Sequence, residues 1–406
     1  MKKSLIAMSV LGAFVAGSAT AANVEIYGLI NPALMFTSSN GDYATAETKN
    51  QFSMEEGKEF GSRWGLRGME EISPDFKVGF VLESGFRSDT GALGAARDTG
   101  RIFDRESHID LHTKFGKFQF GRMPLFGSVL GADGLFRAID PLFANYTMAF
   151  GSGSVTGSDW TRVDNAISYE PVNTIFRLPT FAGLTGYAMY SFRNDSNKTD
   201  TNGDPTNAEE SKAEADRYAS LALRYQNGGL EAVLVTDMTM YGSVDSPLHD
   251  DAGYDVDNGY TVTLGGNYAF SNGFKLIAFA QYFKDQWLNT NARAGVTLDG
   301  VKWVTGNGTA ANGEGYGFVD GYGVSLGANY PLGGGTIKGQ VAYRDMDNTK
   351  DVDFNRWFVA LGYDYPMSKR TSFFAMTGYT QEKVEAANRE ATPYGFEFTA
   401  GILHRF

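Results

Sequence analysis

The chain has 406 residues and no cysteine, with 35 basic against 47 acidic residues and a net charge of −12. Its mean hydropathy of −0.26 is too polar for a bundle of membrane helices. The missing cysteines exclude a disulfide framework, and the acidic balance argues against nucleic acid as a partner. Fifty glycines and 14% aromatic residues suit a β-barrel, where only every second strand residue meets lipid.

Residues 1–21 read as an export signal: Lys2 and Lys3, an apolar stretch from Leu5 to Ala16, and the cleavage site Ala19-Thr20-Ala21. That stretch is shorter than the roughly 20 residues a membrane helix needs, and no later run is longer. Any membrane location is therefore through strands. Residues 22–406 read as one barrel domain without a linker or low-complexity segment.

Sixteen strands are expected, at about 23–37, 59–70, 76–87, 101–114, 117–123, 162–178, 184–193, 215–226, 229–240, 259–270, 273–286, 316–331, 335–346, 355–366, 370–383 and 393–406. Short turns such as Ile72-Ser73-Pro74-Asp75, Phe115-Gly116-Lys117 and Ser271-Asn272-Gly273 take turns with long polar connections over 38–58, 123–160, 194–214, 241–258 and 287–315. This alternation predicts an antiparallel transmembrane barrel with tight periplasmic turns and long outer loops. The even count places both termini in the periplasm. In the last strand, Tyr394, Phe396, Phe398, Ala400, Ile402 and Phe406 share one face and Glu397, Thr399, Gly401 and Arg405 the other.

Several stretches resemble the general porins of Gram-negative bacteria, β-proteobacterial ones in particular. They are Val24-Glu25-Ile26-Tyr27-Gly28, Ser62-Arg63-Trp64-Gly65-Leu66-Arg67-Gly68 with Glu70, Leu82-Glu83-Ser84-Gly85-Phe86, Phe118-Gln119-Phe120-Gly121-Arg122, Arg162-Val163-Asp164-Asn165-Ala166-Ile167-Ser168-Tyr169, and Gly401 to Phe406. The resemblance implies a homotrimer of sixteen-stranded barrels in the outer-membrane lipid, each with its third loop, 124–161, folded inward as a constriction. It implies passive diffusion of ions and small hydrophilic solutes, with no cofactor. Phe406 would then be the signal read by the barrel assembly machinery.

The family's basic cluster, carried over to matching positions, is Arg63, Arg122 and Arg162, with Arg67 further down the wall. Arg63 and Arg67 share a face opposite Trp64 and Leu66. Arg in mid-membrane facing lipid costs about 2–4 kcal/mol, so the lumen is their side. On strand 6, plain alternation sets Arg162, Asp164, Ala166 and Ser168 opposite Val163, Ile167 and Tyr169. Arg122 has the parity of Phe118 and Phe120, and needs a twist or bulge to re-aim it. Facing carboxylates are expected from the third loop at Asp133 and Asp140, with Asp159 near its exit. Their context, Gly131 to Pro141, is compact and partly apolar, and Arg137 lies between them. Glu83 is a further wall candidate. Together these predict a weak anion preference, because charge at the narrow point is least screened.

His108, Asp110 and His112 share one face of strand 4 with Glu106. Alternate residues stand roughly 6.6 Å apart, long for ligands of one ion, so a polar lumen wall is the better reading. Ser107 and His108 point to opposite faces, and no nucleophile elbow or nucleotide-binding pattern appears, which argues against an enzyme. The alternatives are a substrate-selective channel, or an adhesin or barrel enzyme working through the outer loops.

Overall fold

The computed structural model describes residues 24–40, 48–93, 101–142, 152–157, 162–171, 183–193, 210–242, 257–286, 295–298, 301–304, 318–348, 352–386 and 389–406. The export signal and Asp159 lie outside these residues. Strand 1 is Glu25–Ile30 continued by Pro32–Asn40, and strand 2 is Lys49–Glu56 continued by Arg63–Ser73. Strands 3 to 8 are Phe76–Gly85, Glu106–Thr113, Gly116–Pro124, Arg162–Pro171, Leu184–Ser191 and Arg217–Asn227. Strands 9 to 16 are Leu230–Met240, Gly259–Ala269, Lys275–Gln286, Val319–Leu332, Gly335–Asn348, Val352–Pro366, Thr371–Ala386 and Tyr394–Arg405.

Each strand pairs antiparallel with the next. Strand 16 returns to strand 1 through Ala33↔Gly401 to Asn40↔Tyr394 and through Leu29↔Arg405, which closes the barrel. Closure leaves no sheet edge, the condition for strands to cross a bilayer. Short connections form where turn residues were expected: Gly273, at φ 84°, donates its N–H to the Phe270 carbonyl at 3.0 Å.

The outer wall follows period-two alternation. On strand 11, Leu276, Ala278, Ala280 and Tyr282 face out, while Ile277, Phe279, Gln281 and Phe283 are buried within. The inner face is less polar than alternation alone suggests. Phe279, Phe358, Ala360, Phe374 and Met376 form one apolar cluster with Phe126, Phe136, Ile139 and Leu142 of the third loop. That part of the lumen wall is covered by the loop, which explains apolar residues on both faces of strands 11, 14 and 15.

The first two strands depart from the expected bounds. Lys49–Glu56, expected in a loop, pairs with Pro32–Ser39, whereas Arg63–Arg67 pairs with Glu25–Leu29. Between these halves, Gly57 to Ser62 step out of the ladder, and Asn31 satisfies the step. Its side-chain oxygen accepts the N–H groups of Glu59 and Phe60 at 2.9 and 3.0 Å, and its amide donates to the Ile402 carbonyl at 2.9 Å. Asn31 is fully buried, so these bonds replace the missing ladder.

Candidate pore constriction

Three carboxylates organise the charges inside this barrel, and each holds two arginines. The first is Glu83 on strand 3. Cross-strand register lines up Tyr27, Gly65, Glu83 and Glu106 on strands 1 to 4. A Cβ at Gly65 would stand 2.8 Å from the Tyr27 ring, so only glycine lets that ring lie across strand 2. The Tyr27 hydroxyl thereby donates to Glu83 Oε2 at 3.1 Å. Arg105 Nε donates to Glu83 Oε1 at 2.6 Å, and Arg63 Nη1 lies 3.7 Å from the same oxygen. Arg162 is within electrostatic reach of Glu83.

Asp164 on strand 6 is the second. Arg101 meets it through two terminal nitrogens, each at 3.0 Å, and Arg122 Nη1 donates to it at 2.7 Å. Arg122 Nε also donates to the Asp104 carbonyl at 2.6 Å, while Asp104 Oδ1 accepts the Gly85 N–H. A bulge creates this arrangement. Gly121 pairs with Ala166 and Met123 with Val163, so strand 6 carries one residue more than strand 5 across the step. Asn165 absorbs it at φ 48°, a left-handed conformation that asparagine tolerates. Beyond the bulge the faces exchange. Val163, fully buried, joins Met123 and Ala166 in the core beside the loop, and plain alternation no longer holds for Asp164 and Arg162.

The third is Glu382 on strand 15, shared by Arg344 and Arg356 of strands 13 and 14. Glu382, Arg344 and Arg356 were not among the residues expected to matter.

The described residues of the third loop fold into the lumen and are tied there at several points. Its short 3₁₀ turns, Leu135–Ala138 and Ser152–Val155, lie against strands 9 and 10 and strands 12 and 13 respectively. Asn267 Nδ2 donates to the Ala138 carbonyl at 2.8 Å, Gly157 N–H to Gln281 Oε1 at 2.8 Å, and Gln340 Nε2 to Ser152 Oγ at 2.8 Å. Gly323 and Gly327 provide the slot: a Cβ there would collide with the Val155 carbonyl and the Pro141 ring.

Two loop acids, Asp133 and Asp140, have partners of their own. Lys117 Nζ donates to Asp133 Oδ1 at 2.6 Å, and Asp140, buried, accepts the Ser152 hydroxyl at 3.0 Å. Arg137 turns its Nε onto the Val129 carbonyl at 3.1 Å. Arg67, half exposed, pairs with Glu25 Oε2 at 2.8 Å and lies over the Tyr27 ring, well below Arg63 on the strand. His108 is held between Asp110 at 2.7 Å and Glu106 at 3.3 Å. Among the described residues no group of three or more His, Asp or Glu is arranged to hold a metal ion.

Sequence alone did not reveal Arg101 and Arg105, because both precede the regular part of strand 4, where alternation gives no guide. The signal for Arg344, Arg356 and Glu382 was available: aligning strands 13 to 15 through their short connections puts two arginines and a glutamate in one row.

Comparison with known proteins adds a family. A family profile described as Gram-negative porin matches residues 7–385. An outer membrane porin protein of Bordetella pertussis is 28% identical over 100% of both chains. The anion-selective porin from Comamonas acidovorans shares the fold with a TM-score of 0.63, at 23% identity over 95% of this chain and 100% of that one. A trimer form of OmpT from Vibrio cholerae superposes with a TM-score of 0.55, at 14% identity over 94% and 99% of the two chains.

Proposed function

This chain belongs to the Gram-negative porin family, and from that premise we propose how its constriction treats solutes. It is an outer-membrane porin, a water-filled channel for passive diffusion of ions and small hydrophilic solutes. In our reading the narrow passage lies between the third loop and the wall of strands 1 to 6, and Arg63, Arg105, Arg122 and Arg162 set its potential. Arg67 belongs to the approach below. Asp133 and Asp140 shape the loop and contribute little field toward the wall. Transport involves no covalent chemistry, and the barrel works as a homotrimer, as the OmpT trimer form does.

The observation that carries the charge reading is that Glu83 and Asp164 each engage two arginines of the wall and its rim. A constriction with surplus guanidinium charge favours anions, because fields at a narrow point are poorly screened. The anion-selective label of the Comamonas acidovorans porin supports the same sign. Single-channel recording of the purified protein in a planar bilayer, with zero-current potential under a salt gradient, tests this. Ohmic steps in threes with an anion-signed potential are expected. A cation-signed potential overturns the charge reading, and no conductance from folded, heat-modifiable protein overturns the pore itself.

A further inference from the structure

The far limb of the third loop ends on the buried Glu382 group. Arg344 and Arg356 are direct cross-strand partners, and Glu382 stands directly opposite Arg356. Arg344 Nη2 donates to Glu382 Oε1 at 2.5 Å and Arg356 Nη2 to Glu382 Oε2 at 2.8 Å. The second terminal nitrogen of each arginine, Nη1, converges on one acceptor, the Ser154 carbonyl, at 3.1 and 3.3 Å. The side chains of Arg344, Arg356 and Glu382 are 0%, 7% and 5% exposed.

Burial to this depth keeps Arg344 away from permeating ions. Two arginines directly opposite each other also repel, and a buried charge group of this kind is seldom kept for stability alone. What the trio does supply is direction. Glu382 holds each guanidinium by one edge, so the other edge of each points at the same loop carbonyl. The neighbouring ties, Gln340 to Ser152 and Gly157 to Gln281, flank this point on either side.

We propose that Arg344 and Arg356, aligned by Glu382, are positioning residues for the constriction: they fix the far limb of the loop through Ser154 and so set how steadily the channel stays open, without selecting ions. This rests on the pore reading above. On this proposal the shared carbonyl holds the loop docked on strands 12 to 14, and its loss frees the loop to move into the passage.

The test uses two variants recorded beside the wild type. Replacing the whole trio, Arg344→Met with Arg356→Met and Glu382→Met, removes every charge and both donors to Ser154. Arg356→Met alone keeps a balanced Arg344–Glu382 pair in the wall and removes one donor, so it decides the matter should the triple variant fail to fold. Partial closures at fixed voltage should rise about tenfold in the triple variant and less in Arg356→Met, with closure at lower voltage and an unchanged zero-current potential. A folded variant as quiet as the wild type overturns the proposal, as does a noisy one whose zero-current potential moves with the noise. Wild-type protein without conductance would instead overturn the pore reading itself.

Discussion

Glu83 and Glu382 each hold two arginines, but the groups connect different parts of the molecule. Around Glu83, Tyr27, Arg63 and Arg105 come from the wall itself, and Arg63 and Arg105 keep 13% and 10% of their side chains exposed. Around Glu382, the 0% exposed Arg344 and its neighbour reach out of the wall to a loop carbonyl. The same stoichiometry therefore serves two ends. Charge bordering the water acts on what passes, and charge sealed from it acts on what stands still.

Substitutions at the two carboxylates should separate these roles. Glu382→Met has the largest expected effect, since it leaves two buried guanidinium groups without their counter-charge, at a cost of about 3–5 kcal/mol. The heat-modifiable form on denaturing gels should be lost or strongly reduced. Survival of a fully stable barrel would show that Glu382 is no counter-charge. Glu83→Gln should fold, because glutamine keeps the side-chain shape and one oxygen to accept from Arg105. Its two released arginines should raise the anion-to-cation permeability ratio about tenfold, equivalent to about 1.4 kcal/mol. An unchanged zero-current potential would remove the Glu83 group from the ion path.

Arg63→Gln should act in the opposite sense, lowering that ratio about threefold, with the difference shrinking between roughly 0.1 and 1 M salt as the screening length falls from about 10 to 3 Å. A salt-independent change would mean a steric cause. Arg67→Ala should do least. Its pair with Glu25 is half exposed, so thermal unfolding should stay within about 1 kcal/mol and selectivity should not move. A large selectivity change would put the narrow point lower in the barrel.

Most of the barrel was legible in the chain because period-two alternation is written in every strand and the turn residues punctuate it. The inward third loop was legible too, through the compact, partly apolar stretch Gly131 to Pro141 with Leu135, Phe136 and Ile139. Two irregularities were not. The bulge at Asn165 exchanges the faces of strand 6 with no change of composition, so parity carried past it misassigns Val163. Lys49–Glu56 reads as part of a loop because the step at Gly57 to Ser62 separates it from Arg63–Ser73, and only its pairing with Pro32–Ser39 reveals it as strand. Arginines outside regular strands, Arg101 and Arg105, fall in the same blind area: their role depends on where neighbouring strands stop.

The seam between strands 1 and 16 bears on how the molecule is made. Asn31 donates to the carbonyl of Ile402, 371 residues away in sequence, and Gly28 exchanges two backbone hydrogen bonds with Phe406 at 3.1 and 3.0 Å. Contacts this distant are the slowest to form, because the chain entropy of closing the ring is spent before any of them is gained. Until Tyr394–Arg405 arrives, both halves of the first strand keep an open edge that is sticky in water and untenable in lipid. Closure of the ring therefore waits for Tyr394–Arg405, and the edge of the first strand stays unpaired until that strand docks.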